Sequence, residues 1–155
     1  MTQKMLGSLV VALNLAFVGQ AQAIGPFLSW QNADDLDNGY GVGVAVPRSM
    51  TPLFRIDPRV SWYSYTGGDN DLNAFPVDLI GELNMGLFYG GVGASYTIYD
   101  NEIEDRWGYS VVVGAKFMLG GTGVFADLMW RGSEKKDNAS ADGVGLNVGV
   151  LFGGF

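Results

Sequence analysis

Three serines, Ser61, Ser95 and Ser110, are the hydroxyls that could act as nucleophiles here, because alternation along their segments puts them on polar faces. Acyl transfer by serine needs a nearby base to take the hydroxyl proton, and histidine is the usual one. The 155-residue chain has no histidine, so an Asp or Glu would have to serve, and no catalytic residue is assigned. Oxygen ligands of the kind calcium prefers occur in Asp34-Asp35-Leu36-Asp37-Asn38-Gly39 and in Gly68-Asp69-Asn70-Asp71. Neither has the full spacing or the terminal Glu of an EF-hand loop, so both read first as solvated loops and second as sites for divalent cations. Gly39-Tyr-Gly41-Val-Gly43 and Gly91-Val-Gly93 do not lead from a strand into a helix, as a phosphate-binding turn requires, and read as small side chains in a confined interior. Asn138-Ala139-Ser140 fits a glycosylation pattern, a match too short to carry weight alone. Cysteine is absent, which removes disulfides and thiolate metal sites. No cofactor is expected.

The remaining chemistry is ionic and arranged by parity. Arg55, Asp57, Arg59, Ser61 and Tyr63 alternate with Phe54, Ile56, Val60 and Trp62, which is the period of a two-faced strand. Extending the count adds Asp78, Glu82, Lys116, Asp127 and Arg131 to the polar face, so Arg55, Arg59, Lys116 and Arg131 balance Asp57, Asp78, Glu82 and Asp127. Buried ions need opposite partners, because leaving one unpaired costs about 3 to 5 kcal/mol.

Eight strands position these residues: 26–31, 39–46, 53–65, 75–84, 87–99, 107–119, 123–131 and 143–155. Several reach the 9 to 11 residues or so of a tilted membrane-crossing strand. Their connections alternate, with polar, acidic stretches at 32–38, 66–74, 100–106 and 132–142 against tight turns at 84–86 and 120–122 and an intermediate one at 47–52. Short turns at one end and long loops at the other are the pattern of an outer-membrane barrel. Pro58 lacks the amide for a ladder bond, and a bulge at Asp57-Pro58 is expected to absorb it.

Trp30, Tyr40, Trp62, Tyr96, Trp107, Tyr109 and Trp130 share the apolar parity and fall near the long-loop ends, while Phe54, Phe88, Phe117 and Phe152 fall near the short turns. Indole and phenol rings favour a membrane boundary, so this face is read as turned to lipid with the ionic face inside. The other twelve acids all lie in the long loops, against Arg106, Lys135 and Lys136, which makes that crown −9.

At the start, Lys4, the apolar run from Leu6 to Val18 and Ala21-Gln22-Ala23 have the form of a secretory leader cleaved near Ala23. The run is too short for a helix that crosses a bilayer, which needs about 20 residues. Cleavage gives a signal peptide over 1–23 and one domain over 24–155, and losing Lys4 takes the formal charge from −7 to −8, against nucleic acid as a partner.

Together the leader, the eight strands, the alternating connections and the terminal Phe155 resemble the small eight-stranded outer-membrane barrels of Gram-negative bacteria, the outer-membrane protein A/X-like family. The resemblance implies an all-β, antiparallel, up-and-down transmembrane barrel, a monomer in contact with membrane lipid and lipopolysaccharide. It also implies that Phe155, with Phe152, is the signal read by the barrel-assembly machinery, although Gly153 stands where such proteins usually carry a second aromatic residue. The function expected is a non-enzymatic, adhesin-like surface barrel, with a narrow pore or small-molecule conduit as the alternative.

Overall fold

The computed structural model describes residues 23–33, 36–65, 72–100, 105–133 and 142–153. They form one antiparallel sheet of β1 (Gly25–Ala33), β2 (Leu36–Ala45), β3 (Arg48–Ser49), β4 (Phe54–Tyr65), β5 (Leu72–Met85), β6 (Phe88–Tyr99), β7 (Arg106–Leu119), β8 (Thr122–Ser133) and β9 (Gly143–Phe152). Each long strand pairs with its neighbours in sequence, β1 pairs with β9, and β2 pairs with β4, so the sheet closes. The two-residue β3 continues β2 in the same register against β4, Ala45 facing Arg59 and Arg48 facing Ile56. The barrel therefore has eight staves. Closure gives every stave two neighbours, which removes the free edges that a membrane does not tolerate.

Period-2 alternation decides the faces. Burial alternates residue by residue along β1, with Phe27, Ser29 and Gln31 inside and Leu28 and Trp30 outside, and β8 behaves the same way. The tight turns need residues that accept a positive φ at the first turn position, as in type II′ hairpins. Gly86 (φ 76°) and Gly120 (φ 61°) supply it.

Three expectations change. No bulge forms at Pro58: β4 keeps one register against β5 from Phe54↔Leu83 through Pro58↔Leu79 to Val60↔Val77. Proline removes a single donor, and here it does so on the side facing Val46-Pro47, where the β2 to β3 ladder is already interrupted. The Pro58 carbonyl still accepts from the Val46 amide at 2.9 Å. Arg55 and Asp57 therefore stay inside. Second, the expected loop at 32–38 is mostly strand, since β1 runs to Ala33 and β2 starts at Leu36, with Asn32 Nδ2 donating to Asn38 Oδ1 at 3.0 Å across the hairpin. Third, β1, β2, β5, β7 and β8 start or end one to three residues beyond the expected runs, whereas β4 and β6 start one residue later and β9 is strand to Phe152.

Candidate functional site

The site is the lumen, and glycine sets its shape. Each of five inward aromatic rings lies directly opposite a glycine on a neighbouring strand: Tyr65 on Gly39, Tyr63 on Gly41, Phe27 on Gly43 and Gly149, Tyr89 on Gly114, and Phe125 on Gly149. A Cβ added at Gly39 would sit 2.6 Å from Tyr65 Cε1, and one added at Gly114 would sit 2.6 Å from Tyr89 Cζ. Gly91 is likewise covered, 2.8 Å from Glu82 Cγ. The lumen glycines thus admit large neighbours.

Rings placed in this way carry the arginines. Arg55 lies 4.5 Å over Tyr89, Arg131 lies 5.4 Å over Tyr63, and Arg59 lies 6.0 and 5.8 Å from Phe27 and Phe125, within the range of cation–π attraction. The same three guanidinium groups hold all four lumen acids. Arg59 reaches Asp57 at 2.9 Å, Asp127 at 2.8 Å and Glu82 at 3.2 Å. Arg55 also pairs with Glu82, and Arg131 pairs with Asp78 at 2.8 Å. These seven side chains are essentially buried. Lys116 sits at the short-turn mouth, where Nζ donates to Asn84 Oδ1 at 2.9 Å.

Uncharged groups join the ions into one network. Tyr89 donates to Asp127 Oδ2 at 2.6 Å, and Asn147 Nδ2 donates to Asp127 Oδ1 at 2.7 Å. Ser29 bonds to both Asn147 and Tyr63, while Arg131 donates to Tyr63 and Gln31, each at 3.2 Å. A continuous path therefore runs from Asp78 through Arg131, Tyr63, Ser29, Asn147, Asp127 and Arg59 to Glu82. It is capped by apolar clusters, Tyr63, Tyr65, Leu72 and Ala74 toward the long loops and Phe27, Phe125 and Leu151 toward the short turns. Between the network and the loops, a cavity of about 20 Å³ beside Ser95, Arg106 and Arg131 has room for about one water.

The aromatics expected at the membrane boundary face outward. Trp30, Tyr40, Trp62, Trp107, Tyr109 and Trp130 are 37 to 63% exposed. Tyr96 is the exception: its parity is outward, yet Trp107 covers it with ring centroids 4.8 Å apart, and its hydroxyl donates to Asp105 at 3.3 Å. Phe152 is outward and exposed at the end of β9. Phe155, the leader up to residue 22 and most of the acidic loop residues lie outside the described residues. Ser61, Ser95 and Ser110 all point inward and are buried. The sequence reading did not single out Phe27, Tyr89, Phe125, Ser29, Gln31 or Asn147. Parity alone places them inside, but their pairing with glycines and ions depends on the register across the long connections.

A family model described as an outer membrane protein beta-barrel domain matches residues 9–152. Among solved structures, the N-terminal beta-barrel domain of Pseudomonas aeruginosa OprF aligns at 15% identity over 85% of this chain and 98% of that one, with a TM-score of 0.56. Neisserial surface protein A aligns at 12% identity over 84% and 94%, with a TM-score of 0.55. The attachment invasion locus protein of Yersinia pestis aligns at 12% identity over 84% and 95%, with a TM-score of 0.52. No curated sequence matches the chain. At these identities the three structures bear on the fold alone. The closed eight-stave barrel, its apolar outer face and the nearly full-length family match lead to one assignment, and the chain belongs to the outer membrane protein beta-barrel domain family.

Proposed function

We propose that this protein is a non-enzymatic surface barrel: a rigid, non-conducting stalk in the outer membrane whose acidic loops make the contacts. The observation that carries the reading is the filled lumen, closed at mid-height by the Arg59 to Asp127 contact. A sheet spent on holding its own interior shut leaves the loops as the working surface. The same fold serves a Neisserial surface protein and an attachment invasion locus protein. In this reading the leader is removed near Ala23, the mature chain is a monomer, and Phe155 with Phe152 addresses it to the barrel-assembly machinery. The loop crown, formally −9, attracts divalent cations, basic surfaces and cation-bridged lipopolysaccharide. Buried serines without histidine argue against hydrolysis or acyl transfer.

The test is binding of the barrel, refolded into nanodiscs, to immobilised cationic and anionic surfaces at two salt concentrations. The reading expects retention on the cationic surface at about 10 mM salt and its loss near 150 mM, as the screening length falls from about 30 to about 8 Å. Equal retention on both surfaces, or retention insensitive to salt, would remove the electrostatic role of the loops.

A further inference from the structure

The cavity of about 20 Å³ on the long-loop side of the ionic network has a chemistry of its own. Register explains where it opens. Gly108 of β7 stands between Ser95 of β6 and Ser133 of β8, so the wall carries no side chain at that point. One inward row nearer the loops, Thr97 faces Arg106 across the β6 to β7 pairing, and both line the cavity with Arg131 of β8. Ser95 is 3% exposed, lines the same cavity, and its Oγ has no hydrogen-bond partner among the described residues. A buried hydroxyl without a partner is costly, so it marks a place for a ligand atom.

The sign of the charge is also set. Among the described residues, the charged side chains that line the cavity are the guanidinium groups of Arg106 and Arg131. The neighbouring carboxylates do not line it and are engaged elsewhere. Asp78 takes Nε and Nη2 of Arg131 at 3.3 and 2.8 Å. Asp105 accepts from the Tyr96 hydroxyl and the Tyr99 amide, each at 3.3 Å, and Asp142 accepts from the Ser133 amide at 2.8 Å.

We propose that this cavity binds one monovalent anion of halide size, with chloride as the probe, between Arg106, Arg131 and the Ser95 hydroxyl. Size selects the class. About 10 to 15 Å³ of such space holds one water, and a halide is only slightly larger than water, whereas sulfate or phosphate with four oxygens is too large. Charge favours the anion over water, because two guanidinium groups in a poorly hydrated interior attract a negative charge far more strongly than they would in solution. The acidic crown does not cancel this attraction. Its charges act through solvent, where they are screened within about 8 Å at physiological ionic strength, and buried charges are screened much less.

The experiment measures reversible unfolding of the refolded barrel in detergent micelles as chloride replaces gluconate at constant ionic strength. The logarithm of the unfolding constant should fall as chloride rises, with a slope that approaches one ion per barrel. Sulfate at the same ionic strength should give no such slope, although its double charge would make it the better ligand for diffuse attraction. Ser95→Ala should weaken chloride binding about tenfold, the loss expected for one hydrogen bond to a charged group. Arg106→Gln should weaken it by at least as much. Ser110→Ala, buried on the same wall but outside the cavity lining, should leave it unchanged, as should Lys135→Gln in the loops. In crystals grown with bromide, an anomalous peak should lie within hydrogen-bond reach of Ser95 Oγ. Equal slopes in chloride and sulfate, equal losses for Ser95→Ala and Ser110→Ala, or equal losses for Arg106→Gln and Lys135→Gln would overturn the site. A flat response to chloride would assign the cavity to water.

Discussion

Arg59 and Asp127 meet at 2.8 Å although β4 and β8, which carry them, are four staves apart in either direction around the barrel. The contact therefore spans the full diameter of the lumen. Arg131 of β8 and Tyr63 of β4 repeat the relationship nearer the loops, at 3.2 Å. With two diametric bonds and aromatic caps on both sides, the interior is cross-braced, and the sheet gains in its core what the absence of cysteine denies it.

Arg59 engages three carboxylates, so Arg59→Ala leaves several buried charges short of a partner. Denaturant unfolding in detergent micelles should show a loss of about 3 to 5 kcal/mol. Adding Asp127→Asn should recover part of that loss, since the two residues share one network. A single substitution without effect would mean that the pair is solvated and contributes little.

Glycine opposite an aromatic ring is the second structural device. Gly149→Val should destabilise by about 1 to 3 kcal/mol through overpacking against Phe125, because a Cβ at that position already lies 2.5 Å from Phe125 Cε1. Gly121→Ala, in open space within the β7 to β8 turn, should be neutral. Equal unfolding midpoints for the two variants would show that the rings shift freely and do not set the lumen packing.

On the outer face, Val148→Arg should lower the refolding yield in phospholipid vesicles and cost about 2 to 4 kcal/mol. Val148 is outward and 52% exposed. The same change at the acidic-loop residue Asn70 should leave the yield at the parent level. Equal yields would contradict the orientation of β9.

Parity was the readable part of this architecture. Arg55, Asp57, Arg59, Asp78, Glu82, Lys116, Asp127 and Arg131 can be assigned to one face by counting in twos, because a side chain's face depends only on its position along its own strand. Partnership is different, since the meeting of Arg59 with Asp127 requires the register of four successive pairings, two of them across long connections. The tight turns at Gly86 and Gly120 fix local register, but nothing comparable marks the β4 to β5 or β6 to β7 connection. Pro58 needs no bulge, because each residue bonds toward one neighbour and Pro58 faces the gap beside Pro47, so its missing amide interrupts no β4 to β5 pairing. Tyr96 kept its expected face and differed in exposure, because the pairing that sets Trp107 beside it was not visible in either strand alone.

Single-channel recording of the refolded barrel in a planar bilayer tests the filled lumen most directly. The native protein should show no resolvable conductance or only a small one, with rare openings increased by Arg59→Ala. A large and steady conductance in the native barrel, unchanged by loss of the Arg59 to Asp127 contact, would show that these charges line open water and that the protein is a pore.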